Sequence, residues 1–136
     1  MDVPTAQEFL RANHHAVLAT IRTDGRPQLS PVAAAVDPQG RVVISTRETA
    51  LKVKHLRRDP RVGLTGFTDR FFGDWVQVEG DAEIVSLPEA MDLLVEYYRS
   101  TAGEHPDWDE YRAAMTAERR VIVRFAIERA GPNVSG

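Results

Sequence analysis

The chain contains no cysteine. This excludes a disulfide framework, a thiolate zinc or iron–sulfur centre and a cysteine nucleophile. Aromatic residues make up only 7% of the 136 positions. No apolar run approaches the roughly 20 residues that a membrane-spanning helix needs, so no membrane partner is expected. The opening Met1-Asp2-Val3-Pro4 lacks the basic and apolar stretches of a secretion signal, and a cytoplasmic location is expected. No P-loop, dinucleotide-binding glycine fingerprint or nucleophile-elbow motif occurs. Cationic excess is also missing. Lys and Arg number 17 against 20 Asp and Glu, for a formal net charge of −3. Such a balance disfavours general nucleic-acid binding, which rests on neutralising phosphates. The histidines, His14, His15, His55 and His105, fall in no pattern that completes a metal ligand set, so no metal is expected.

What the chain does have is the make-up of one globular domain spanning 1–136. Hydrophobic residues account for 43% and charged residues for 27%. Thr5-Ala6-Gln7-Glu8 has capping-box spacing and predicts a short N-terminal helix over 4–13. The apolar, partly β-branched Ala16–Ile21 reads as a buried strand. Asp24-Gly25 marks a tight turn into a second strand, Pro27–Val36, where Gln28 and Ser30 share a face. Pro31 cannot donate to a ladder, so an edge or bulge is expected near it. After the turn Asp37-Pro38-Gln39-Gly40, Arg41–Thr46 is a third strand. Val62–Phe67, Trp75–Val85 and Arg120–Ile127 complete six strands, with the core over about 15–128 and a tail over 129–136.

Helices are expected in three further places. Thr49–Arg58 stops at Asp59-Pro60. Ser86-x-x-Glu89 has capping-box spacing, and Met91, Leu94, Val95 and Tyr98 follow at helical intervals up to Gly103. Asp107-x-x-Glu110 opens the last helix, with Trp108, Tyr111 and Met115 on one face. The first three strands follow one another through tight turns and should pair antiparallel. The expected architecture is mainly β: a small antiparallel barrel with flanking helices.

The charge is unevenly placed. Arg47, Lys52, Lys54, Arg57, Arg58 and Arg61 lie close together, opposed only by Glu48 and Asp59. A solvated helix face is the commoner cause of such a run. A helix that begins just after a strand, however, offers free amides and a favourable dipole, and Lys52 adds a charge there. Lys52 and His55 are three apart and share a face, and Lys54, Arg57 and Arg58 share another.

Three stretches, Leu18–Val32, Ile44–Val62 and Trp75–Val85, together resemble the pyridoxamine 5′-phosphate oxidase-like split β-barrel superfamily. The segment from Gly103 to Val123 is similar to its actinobacterial branch, which binds the deazaflavin coenzyme F-420. The resemblance runs from about His15 to Ile127. It implies a homodimer of six-stranded antiparallel split barrels with the cofactor in a groove at the dimer interface. It implies that Lys52 contacts the cofactor phosphate, and that Lys54 faces the phosphate or the acidic oligoglutamate tail. Gln28 and Ser30 match positions near the ring system. Ser45 and Thr46 match positions along the ring and ribityl chain, and Trp75 matches an aromatic near the pocket. Ala50 stands where relatives often carry arginine, and His55 where asparagine is usual.

The reading that follows is a reductase using reduced F-420 on an unsaturated small-molecule substrate, with most of the chemistry belonging to the cofactor. No catalytic proton donor is identified. Two alternatives stay open: an FMN-dependent oxidase or reductase on the same fold, and a non-catalytic cofactor-binding protein.

Overall fold

The computed structural model describes residues 1–132. Helix α1 (Val3–Ala12) leads into β1 (His15–Ile21), β2 (Pro27–Ala33), β3 (Ala35–Val36) and β4 (Val42–Arg47). Helix α2 (Leu51–Arg58) precedes β5 (Arg61–Phe67) and β6 (Trp75–Val85). Helices α3 (Ala90–Ala102) and α4 (Trp108–Ala117) come before β7 (Arg120–Phe125) and β8 (Arg129–Gly131). Among the described residues no helix is long and apolar enough to cross a membrane.

All strand pairs are antiparallel, in the order β2-β1-β5-β6-β7-β4-β3, with β8 on β6. The two end strands, β2 and β3, are joined through the single residue Ala34, so the sheet curls back on itself as a split barrel. The strand expected over Pro27–Val36 therefore serves two half-sheets. Its first part pairs with β1 and its second with β4. The break comes after Ala34, whose amide still donates to the His14 carbonyl at 2.8 Å, in register with the β1–β2 ladder, before Ala35 and Val36 turn to β4. Pro31 lies on the edge strand β2, where a missing donor leaves no central ladder bond unmade.

Among the described residues eight strands replace the expected six. One addition is this split. The other is β8, in the segment read as a tail, where Arg129–Gly131 pairs with Gln77–Glu79. The rest of the expected tail, 133–136, lies outside the described residues. The long strand β6 belongs to both half-sheets: Trp75–Asp81 pairs with β5 and Ala82–Val85 with β7. The changeover needs Gly80. A Cβ there would stand 2.3 Å from the Ala126 carbonyl oxygen and 3.0 Å from the Phe125 ring.

Two apolar clusters follow from this layout. Inside the barrel, Leu18, Ile44, Leu64, Val76, Val78, Val123 and Phe125 pack with Ala6 and Leu10 of α1 and Leu56 of α2. Outside the second half-sheet, Val43 and Ile122 are covered by Ala90, Leu94 and Val95 of α3 and by Tyr111 and Met115 of α4. The helix starts differ in part from expectation. Asp2, not Thr5, caps α1 by accepting the Thr5 amide at 2.8 Å. Ser86 makes no side-chain cap, and α3 begins at Ala90. Asp107 caps α4 as its spacing implies, and Gly103 ends α3 at φ 83°.

Candidate functional site

The site is built where β4 passes into α2. Strand alternation puts Val43, Ser45 and Arg47 on the outer face of the second half-sheet and Val42, Ile44 and Thr46 inside. The register places Arg47 opposite Arg120 and Ser45 opposite Ile122. Two residues of turn follow, then Ala50 as the N-cap of α2 with no side-chain acceptor to offer. The amides of Val53 and Lys54 both turn back to the Ala50 carbonyl, at 3.1 and 3.4 Å. The first turn thus carries its dipole uncapped, with Lys52 in it.

Lys52 is half-buried and close enough to Arg120 to feel its charge. Burial first, and Arg120 second, push its amine below the ordinary lysine value. The other cations of the segment are engaged. Arg47 meets Glu118 at 3.4 Å, Arg57 meets Glu48 at 2.7 Å and Arg61 meets Asp59 at 2.7 Å. Arg58 donates to the Ile21 carbonyl. Among the described residues Lys52 and the exposed Lys54 make no ion pair or side-chain hydrogen bond.

Arg120 holds Glu118 through Nε and Nη2, at 3.1 and 2.8 Å. That hydrogen bond, more than any other cause, keeps the Glu118 carboxyl below its usual range. Tyr97 reaches the same region from α3. Its hydroxyl donates to the Ala33 carbonyl at 2.7 Å. Burial raises its pKa, while the Ser45 amide and Arg120 oppose the rise. Beside these groups, Tyr97 lines a cavity of about 470 Å³ with Val36, Val43, Leu93, Ile122 and Arg124 among its walls.

This barrel, with an uncapped helix and an unpaired lysine after its β4, can be compared with known proteins. The profile of the pyridoxamine 5′-phosphate oxidase family matches residues 3–132. The chain belongs to that family. Among solved structures, the conserved hypothetical protein Rv2991 from Mycobacterium tuberculosis is similar at 30% identity, over 100% of this chain and 92% of that one, with a TM-score of 0.77. An F420 reductase shares the fold at 20% identity and TM-score 0.72, over 92% of this chain and 94% of its own. The heme storage protein HutZ from Vibrio cholerae shares it at 17% identity and TM-score 0.70, over 96% and 94%.

Within this oxidase-family fold the eight residues singled out from sequence separate. Ser45 and Lys52 come to the β4–α2 corner, and Lys54 is on the exposed side of α2. Thr46 is buried on the inner face. Gln28 and Ser30 lie opposite Thr20 and Leu18, so they share the inward face of the half-buried edge strand. Trp75 is on the outer face of the first half-sheet, opposite Phe67. His55 does not share the solvent-facing side with Lys52. It is buried with Val53 and Leu56, and its Nδ1 is 3.0 Å from Thr20 Oγ1. The expected face of Lys54, Arg57 and Arg58 is likewise divided, because Arg57 and Arg58 are tied to Glu48 and Ile21.

Sequence reasoning missed Arg120, Glu118 and Tyr97. Glu118-Arg119-Arg120 is visible as a charged run before the last long strand, but only the β4–β7 register carries Arg120 opposite Arg47.

Proposed function

We propose that the protein binds coenzyme F-420 and acts as a deazaflavin-dependent reductase on an unsaturated small molecule. The observation that carries the reading is Lys52: an unpaired, half-buried ammonium in the first turn of an uncapped helix. A buried charge without a partner is unfavourable, and an anion at that helix end relieves the cost. The residues present fit a phosphate. Lys52 holds it together with the first-turn amides not taken by the Ala50 carbonyl, Ser45 lies on the neighbouring outer face, and Lys54, unpaired among the described residues, is available for an acidic tail. When bound, the reduced cofactor supplies a hydride. The chain's own part is to bind and orient, with the rigid β4–β7 ladder fixing the phosphate end.

One observation favours the FMN alternative. Arg57 and Arg58 are engaged within the protein, so Lys54 alone remains of the cations proposed for an oligoglutamate tail. FMN has the phosphate and no such tail.

The working form is proposed to be a homodimer. Leu29, Phe71, Phe72 and Trp75 are exposed on or beside the outer face of the first half-sheet, which no helix among the described residues covers. A second copy seated there shields them, and the location is proposed to be cytoplasmic.

Equilibrium binding of F-420 and FMN to the purified protein, side by side, tests the cofactor. Tighter binding of F-420, weakened about tenfold by Lys52→Ala, is expected, since charge-assisted contacts to phosphate are of that size. Tighter binding of FMN overturns the deazaflavin reading. Unchanged affinity in Lys52→Ala removes the anchor.

A further inference from the structure

The cavity of about 470 Å³ beneath α3 has no part in the reading of Lys52. Its floor is the outer face of the second half-sheet. The ladders set Ala35, Val43 and Arg124 side by side across β3, β4 and β7, with Ile122 on the same face of β7. Its roof is one face of α3, where Leu93, Glu96, Tyr97 and Ser100 follow at i, i+3, i+4 and i+7. On the neighbouring face of α3, Leu94 and Val95 close the space between helix and sheet, but at the cavity the walls do not meet. The volume and the mostly apolar floor suit a small organic molecule.

Arg124 is the exception on that floor. Its side chain is 19% exposed, against 46% and 50% for Arg11 and Arg99, which also line the cavity. Arg99 is held by Glu104 at 2.9 Å and lies over the Trp108 ring. Arg124 donates through Nε to Glu83, and its two Nη groups make no hydrogen bond among the described residues. A guanidinium carries five N–H donors in a planar fork, so most of this fork is left for another acceptor. A half-buried cation with donors to spare favours an anionic group, and the apolar walls favour an apolar body attached to it. The surroundings also limit the charge. Glu83 serves both Arg41 and Arg124, and Glu96 makes no ion pair among the described residues. Both carboxylates oppose a second negative charge on the ligand.

We propose that this cavity is a second ligand site, one that takes a compact apolar monocarboxylate. The carboxylate is bound by the Nη groups of Arg124, and the apolar body lies against Val43, Ile122 and Leu93. Glu96 on the roof weakens binding and keeps dianions out. The site does not depend on the cofactor reading. Val43 and Arg47 are four positions apart on β4, roughly 13 Å at the rise of a strand, and Lys52 follows only after the turn into α2.

The test is calorimetric titration of naphthaleneacetate and of its neutral amide, naphthaleneacetamide, into the full chain and the variants Arg124→Gln, Leu93→Trp and Glu96→Gln. The acid is expected to bind about tenfold more tightly than the amide, the size of one charge-assisted contact. Arg124→Gln is expected to remove that preference and leave the affinity for the amide unchanged, whereas a purely structural role of Arg124 would move both. Leu93→Trp fills the cavity and is expected to abolish binding of both. Glu96 is exposed, so Glu96→Gln folds, and loss of its repulsion is expected to tighten the acid about twofold and spare the amide. That arm stands even if Arg124→Gln, which deprives Glu83 of a partner, fails to fold. No binding by the wild type, equal binding of acid and amide, or undiminished binding in Leu93→Trp overturns the proposal. The acid is expected to bind equally well to Lys52→Ala and to protein saturated with F-420 or FMN. Competition with either cofactor puts the acid in the cofactor site and overturns the separate site. If the acid responds as stated and neither cofactor binds, the cofactor reading falls and this site stands.

Discussion

The two half-sheets share strand β6 but treat their outer faces in opposite ways. The second half-sheet is roofed by α3 and α4, which bury Val43 and Ile122 completely or nearly so. The first has no roof. Leu29 is 59% exposed, Phe72 91% and Phe71 76%, and the Phe67, Phe71 and Phe72 rings gather beside Trp75. A sheet face that stays apolar without a covering layer marks a contact surface more often than a defect. The roofed half, by contrast, carries the polar corner of Ser45, Lys52 and Arg120. One half is thus finished within the chain and presents charge, while the other is finished by whatever lies against it.

The largest effect should separate the halves by stability. Leu94→Ala removes a fully buried side chain under the roof and is expected to cost ~2–5 kcal/mol in urea or thermal unfolding. Leu29→Ala on the open face is expected to change the unfolding of the isolated protomer by less than about 0.5 kcal/mol. Similar losses from the two would end the distinction.

Association comes next in size. Phe72→Ser should weaken self-association by about 1–2 kcal/mol, read by sedimentation, and leave the helical signal in circular dichroism intact. A wild type that sediments as a monomer, or a variant that still dimerises as tightly, would assign the open face to another partner.

Titration gives the smallest differences, and the two halves titrate at opposite ends of the pH scale. Tyr111, under the roof, donates to the Leu94 carbonyl at 2.8 Å, and burial pushes its phenol up to about 12. A raised folded pKa contributes stability that is complete below the unfolded value of 10.0 and lost as pH climbs towards 12. Tyr111→Phe should flatten the alkaline limb of the stability profile. At the start of β5, the Arg61 hydrogen bond lowers Asp59 to about 2. A depressed pKa contributes stability present above the unfolded value of 3.8 and lost as pH falls towards 2. Because that pair is exposed, Asp59→Asn should alter the acid limb only slightly.

Much of this architecture is written locally. The Asp24-Gly25 turn closes β1 onto β2 with Gly25 at φ 85°, because glycine accepts that conformation freely. The Leu94–Val95 and Tyr111–Met115 faces of α3 and α4 follow from spacing of 3.6 residues per turn, and both are buried. Lys52 at the head of a helix after a strand is equally a local fact, legible in the amino-acid order alone.

Other features have no local cause. Nothing within Pro27–Val36 says that it leaves one half-sheet for the other at Ala34. Ala35 and Val36 pair with Val43 and Val42, partners that only the placement of β4 supplies. His55 stands three positions after Lys52, which suggests a shared face, but the partner of His55, Thr20, comes from β1 and draws it inward. Helical spacing gives the angle between two side chains, not which way the helix is turned. Arg57 and Arg58 read as spare charge until Glu48 and the Ile21 carbonyl are in reach.

The split of Pro27–Val36 and β8 aside, the amino-acid order was therefore enough for the four helices, the six longer strands, most of their turns and a lysine at a helix start. These depend on backbone geometry and periodicity over a few residues. Which cations are engaged, which sheet face stays open and that Arg120 stands opposite Arg47 were settled only by the folded chain. Each of these depends on the register of strands far apart in the chain, and a one-residue slip in that register would reverse the face.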